Sequence, residues 1–197
     1  MRFKLFGTEI YISFLFAAVV TLMLATDRTG LILPSLFAII MHEIGHLFAM
    51  WVLDCAPKRI KLIPTSVQIT RDFSTRYNND IIIAVCGPLV NFVLFLTLYF
   101  NYLAFGNKLT LYYGLLNLLI GVFNSLPVTG LDGGTVLLSI IAKKTDLNRA
   151  VLIMRITTFS VAVIIFIIAI TLTIRGKLNI SLYIIGIYLF VMSILKM

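Results

Sequence analysis

Residues 39–50 read IIMHEIGHLFAM, apolar enough to lie in lipid yet carrying His42, Glu43 and His46 within five positions. An ionisable side chain at the centre of a membrane helix costs about 2.5–3.5 kcal/mol on insertion scales, so it must face a cavity, a partner or a metal. On a helix, residues four apart project from one face. That spacing lets the two imidazoles hold one Zn²⁺, with Glu43 beside them as a general base. The five-residue pattern alone occurs by chance, but the lipid setting argues against decoration. These are also the only two histidines among 197 residues.

The rest of the chain supports a bilayer setting, with 60% hydrophobic and 12% charged residues. Soluble domains average about 45–50% and about 25%. A transmembrane helix needs about 17–25 mostly apolar residues. Six runs approach that length, at residues 10–26, 31–53, 81–106, 109–131, 150–174 and 180–195. The expected fold is therefore an all-α polytopic membrane protein with about six transmembrane helices. Between the second and third runs, Ser66, Val67, Gln68, Ile69 and Thr70 alternate polar and apolar side chains. That is strand periodicity, implying a small β-hairpin or sheet there. A second alternation lies in RFKLFGTEIYI at the amino terminus.

The net charge of +8 arises from Lys and Arg at the ends of apolar runs. This placement reads as topology, not as a nucleic-acid surface. With Arg2, Lys4, Lys58, Arg59, Lys61, Arg71, Arg76, Lys143, Lys144, Arg149 and Lys196 on one side, both termini are expected to be cytoplasmic, in a multi-pass plasma (inner) membrane protein. The His42–His46 cluster then lies nearer the cytoplasm. Cys55 and Cys86 have no metal or disulfide spacing and read as small buried apolar residues.

A hydrolytic zinc usually takes three protein ligands and keeps one open position. The third candidate is Asp132, in NSLPVTGLDGG at residues 124–134. Pro127, Gly130, Gly133 and Gly134 there should break or bend the fourth apolar run. Unwound backbone at membrane depth is tolerated only inside protein or beside a watery cavity, so this bend suits delivery of a carboxylate. The competing role for Asp132 is a cap for the helix that follows.

Both patterns together resemble the site-2 protease family of intramembrane zinc metalloproteases. His42-Glu43-Ile44-Gly45-His46 is similar to its HExxH motif, and Asn124-Ser125-Leu126-Pro127 followed by Leu131-Asp132-Gly133 to its NxxPxxxLDG motif. Cys86-Gly87-Pro88-Leu89-Val90-Asn91 resembles its GPxxN element. The compact branch that includes the sporulation pro-sigma-factor processing protease is the most similar. A single protease domain over 1–197, with its catalytic core at about 31–134, is expected, without the PDZ or CBS modules of other members. Gly130 stands where many relatives have a second proline, an exchange expected to loosen the turn before Asp132.

The resemblance implies one Zn²⁺ per chain held by His42, His46 and Asp132, with Glu43 moving the proton. It implies that Asn124 hydrogen-bonds the substrate backbone or oxyanion, the alternative being an interhelical bond. Asn91 is open between substrate contact and support of the site. Ser66 to Thr70 is open between a clamp for an unwound substrate by β-augmentation and a hairpin with no partner. The implied partners are the bilayer and a membrane-embedded or membrane-adjacent protein. Examples are a sigma or anti-sigma factor precursor and a remnant signal peptide, in a bacterium. The alternatives are a divalent-metal transporter and an inactive pseudoprotease that binds helices. Transport favours several carboxylates along a path, which this chain does not display.

Overall fold

A computed structural model describes residues 2–5, 8–63, 66–70 and 77–195. The chain divides into two compact units, Met1–Val122 and Phe123–Met197. In chain order the elements are β1 Arg2–Leu5, β2 Thr8–Ile12, α1 Phe14–Thr26, α2 Ile32–Val52, β3 Arg59–Ile63, β4 Ser66–Thr70, α3 Tyr77–Phe105, α4 Lys108–Asn124, α5 Asp132–Lys144, α6 Leu147–Ile174 and α7 Ile180–Leu195. Three of these helices, α2, α3 and α6, are long and apolar enough to cross a membrane.

In the first unit the two alternating segments join in one four-stranded sheet, ordered β1-β2-β3-β4. β1 and β2 form an antiparallel hairpin, as do β3 and β4, and the hairpins meet through parallel pairing of β2 with β3. The register sets Glu9 opposite Arg59, whose guanidinium donates to the Glu9 carboxylate at 2.9 Å. The β element is thus broader than a hairpin between two spans. The first apolar run is correspondingly shorter than expected. Its opening residues belong to β2, because alternation lets them join a backbone ladder. The helix that follows has 13 residues, about 20 Å at 1.5 Å per residue.

α2 packs on α3 where glycine allows it. A Cβ on Gly45 would lie 2.6 Å from the Cys86 carbonyl oxygen, so only glycine admits this approach. Ala49, Met50 and Ile83 form a buried cluster beside that contact, flanked by Cys55 and Cys86. Both thiols are free and only partly buried, less enclosed than expected. Cys55 also accepts a hydrogen bond from Asn79 Nδ2 at 3.4 Å, so it serves as a weak polar acceptor as well.

In the second unit α6 and α7 pack around Val128, Ala162 and Leu189, all fully buried. The apolar run at 109–131 is not one helix. α4 ends at Asn124, and α5 begins at Asp132 after an irregular segment containing Pro127 and Gly130.

The start of α2 is held by a side chain outside it. Asp27 Oδ1 accepts from the Thr29 amide and hydroxyl, both at 2.8 Å, and from the Gly30 amide at 3.0 Å. Its Oδ2 accepts from the Ile32 amide at 3.1 Å, satisfying one of the orphan donors of the helix. The Thr29 hydroxyl first, and then the backbone amides, hold the Asp27 carboxyl below its ordinary value. A lowered folded-state pKa stabilises the loop fully above the ordinary carboxylate value of about 3.9, and that support fades as pH falls through the lowered value. Asp27→Ala should therefore speed hydrogen exchange at the Thr29, Gly30 and Ile32 amides at neutral pH. Compared at matched pH, the difference between variant and wild type should vanish in strong acid; a difference that persists there would contradict the assignment.

Candidate metal centre

His42 and His46 lie on α2, buried at 4% and 7% exposure, with ring planes 86° apart and centroids separated by 4.8 Å. Their orientation follows from what each Nδ1 faces. His46 Nδ1 lies 2.7 Å from the Ile83 carbonyl oxygen on α3. A carbonyl only accepts, so that nitrogen carries the proton. His42 Nδ1 lies 2.6 Å from Asn91 Oδ1, also on α3. Asn91 Nδ2 faces two oxygens, Ala38 O and Asn117 Oδ1, each at 3.1 Å, which identifies it as the amide nitrogen. Asn91 therefore presents its oxygen to His42, and His42 Nδ1 is likewise an N–H donor.

In the neutral rings the remaining nitrogens, the Nε2 atoms, carry the lone pairs. They lie 3.2 Å apart. Two lone pairs aimed at one space repel each other unless a cation or proton occupies it. Imidazoles whose Nδ1–H groups are held by an amide or carbonyl are the usual arrangement of metal-bound histidines. The donor chemistry on α2 thus fits a divalent ion. Gly87 of α3 keeps the space open, since a Cβ there would fall 2.9 Å from His42 Nε2 and closer still to His46 Nε2. Pro88 follows inside α3, where its missing N–H frees the helix from a regular turn. Glu43, next to His42, is partly buried.

In the second unit, Asp132 is the first residue of α5 and partly buried. The turn before it is built for that position. The Leu131 amide donates to the Val128 carbonyl at 3.1 Å across Thr129 and Gly130, and Gly130 has φ of 92°. Glycine is required at such a third turn position, and proline, fixed near −65°, is incompatible with it. Gly130 therefore closes the turn, contrary to the loosening expected of it. Gly133 and Gly134 let the segment fold back on itself. A Cβ on Gly133 would meet the Ser125 and Leu126 carbonyls, and one on Gly134 the Val128 carbonyl. Asn124 ends α4 and is partly buried. Ser66, Val67, Gln68, Ile69 and Thr70 form β4, which is an edge of the sheet.

Of the two roles open for Asn91, its hydrogen bonds fit support of His42: it is wholly buried and its amide is engaged on both sides. Two further polar residues carry the geometry and were not singled out from the sequence. Asn117 on α4 orients Asn91. Thr158 on α6 anchors the turn before Asp132: its hydroxyl accepts the Thr129 amide at 2.9 Å and donates to the Met154 carbonyl at 2.8 Å. Asn117 could have been found as an amide inside an apolar run, two helical turns before Asn124. A threonine in a transmembrane helix gives no such signal.

A buried, pre-oriented imidazole pair on a membrane-length helix defines the class of site as a candidate metal centre of the HExxH kind. No family model matches the chain. It is similar to a zinc metalloprotease of Methanocaldococcus jannaschii, 29% identical over 154 residues, covering 72% of this chain and 45% of that protein. The chain thus spans about half the length of the curated relative it matches. Its fold matches the solved site-2 protease from Methanocaldococcus jannaschii with a TM-score of 0.70 and 24% identity, over 98% of this chain and 93% of that one. The fold is that of a site-2 protease, and the two similarities together support the site-2 protease family that the motifs suggested.

Thr158→Val keeps the shape of the side chain but leaves the partly buried Thr129 amide without its acceptor, at a cost of about 1 kcal/mol or more. Equilibrium unfolding in mixed micelles should show that loss, and Thr158→Ser should restore most of it.

Proposed function

We propose that this protein is an intramembrane zinc metalloprotease, hydrolysing a peptide bond in or near a transmembrane segment of a membrane-tethered protein in regulated intramembrane proteolysis. The observation that carries the reading is the convergence of two Nε2 lone pairs, each fixed by an Nδ1–H bond, in a helix otherwise suited to lipid. His42 and His46, with Asp132 as the carboxylate, supply the donor set of a three-ligand hydrolytic site for one Zn²⁺. Zinc bound there supplies a Lewis acid that polarises the scissile carbonyl and acidifies water.

The residues of the chain do the rest. Glu43 takes the proton of the attacking water and passes it to the leaving amine. Asn124 donates a hydrogen bond to the substrate backbone or to the oxygen that gains charge. A helical substrate satisfies its own backbone, so it must unwind before its peptide bond is exposed. The edge strand β4, from Ser66 to Thr70, offers the released amides and carbonyls new partners by β-augmentation. The substrate is cut near the cytoplasmic face, where both termini of this protein reside, and a cytosolic fragment is released.

Glu43→Gln should keep one zinc per chain, measured by elemental analysis, and lower cleavage of a reconstituted tail-anchored or signal-type substrate by about 100-fold or more. Undiminished cleavage would remove Glu43 from its role. His46→Ala and Asp132→Ala should lose zinc, whereas a transporter would move labelled metal into proteoliposomes above the empty-vesicle level. Gly87→Ala, which drives a methyl group against both Nε2 atoms, should lose zinc while helical circular dichroism is retained.

A further inference from the structure

We propose that Asn117 is a positioning residue that sets the tautomer of His42, acting through Asn91. The bonds form a chain with one possible direction. Asn117 Nδ2 donates to the Tyr113 carbonyl at 2.9 Å, and since a carbonyl only accepts, this end cannot reverse. Asn117 Oδ1 is thereby turned toward α3, where it accepts from Asn91 Nδ2 at 3.1 Å. The second Asn91 amide hydrogen goes to the Ala38 carbonyl at 3.1 Å. Asn91 Oδ1 is left facing His42 Nδ1 at 2.6 Å, and only the Nδ1–H tautomer satisfies it. A backbone carbonyl on α4 thus dictates, through two amides, which ring nitrogen of His42 keeps its lone pair.

The relay matters because the metal-free site has a competing state. The two Nε2 atoms lie 3.2 Å apart, so in neutral rings moving the His42 proton to Nε2 would turn a repulsion into a hydrogen bond to His46 Nε2. That change requires Asn91 to flip and offer its NH₂ group to Nδ1. A flip forfeits the bonds to both Ala38 O and Asn117 Oδ1, and without Asn117 it forfeits only one. Asn117 and Asn91 are buried at 5% and 0% exposure, so water cannot replace the lost partner cheaply. Asn117 therefore holds the apo site in its metal-ready form. His46, held by the Ile83 carbonyl, lies outside this relay.

The chain has only two histidines, so long-range ¹H–¹⁵N spectra of ¹⁵N-histidine-labelled, metal-stripped full-length protein in micelles report each ring separately. Wild type should show two Nδ1–H tautomers. In Asn117→Leu the His42 signals should move to the Nε2–H pattern, with His46 keeping its Nδ1–H tautomer as the control for folding. Asn117→Asp keeps an oxygen toward Asn91 and should retain the wild-type tautomer. Should Asn117→Leu fail to accumulate, Asn117→Ala removes the same oxygen. An Nε2–H tautomer of His42 in wild type, or Nδ1–H retained in the folded variants lacking the oxygen, overturns the proposal. A second readout rests on the zinc reading: zinc affinity measured against a competing chelator should fall about 10–100-fold in Asn117→Leu. Wild-type protein that binds no zinc would defeat that reading, while the tautomer result would still stand or fall separately.

Discussion

Everything in the centre depends on two N–H donations from α2 to α3, one to a side-chain amide and one to a backbone carbonyl. They bring both imidazoles edge-on to the same small space and turn their basic nitrogens into it. Neither acceptor can be supplied by α2 itself, because an α-helix uses its own carbonyls. The HExxH motif is therefore half of a device whose other half is a second helix at very short range. That range explains the small residues: Gly45 admits the α3 backbone, and Gly87 admits the rings. A methyl group at either place collides with an atom the geometry needs.

The same accounting explains the irregular segment before Asp132. At membrane depth a backbone amide released from a helix must find another acceptor. The chain solves this locally, with the Leu131 amide closing on Val128, and with a threonine hydroxyl on α6 taking the Thr129 amide. Thr158 donates its one proton to Met154, so in its contact with the Thr129 hydroxyl at 3.0 Å it must be the acceptor. Its hydrogen-bonding capacity is full. Val128, wedged between Ala162 and Leu189, adds an apolar anchor to the polar one. The unwound segment before Asp132 is thereby held by both polar and apolar contacts.

Much of this was legible in the sequence, and the failures have physical causes. The His42–His46 spacing and the alternation in Ser66 to Thr70 are periodicities, and they survive into structure because neighbours on one face share a fate. The first apolar run yields a shorter helix than its length implies, because a count of apolar residues cannot see a partner strand about fifty positions away, yet Glu9 and Arg59 pair at that separation. Gly130 looked like a loss of rigidity because its φ was unknown. The role of Asn117 is not legible in the sequence, because a buried amide acquires a role only from the direction of its bonds. The roles of Asn91 and Thr158 belong to the same category: composition names the donor, but only coordinates say what accepts.

The sheet has two edges, and they differ in chemistry. β1 carries Arg2 and Lys4, and Arg2 stacks over the Tyr11 ring with 5.4 Å from its guanidinium carbon to the centroid. Basic residues on an edge are a common guard against pairing with another chain. β4 reads SVQIT and carries no charge. A polypeptide whose helix has come apart in lipid brings unsatisfied amides and mostly apolar side chains. It gains hydrogen bonds at either edge, but at β1 it must also bury against fixed positive charge. On the proposed function, an extended substrate would therefore favour β4, and the parallel β2–β3 pairing is what leaves β4 on the outside, with the guarded hairpin at the far side of the sheet.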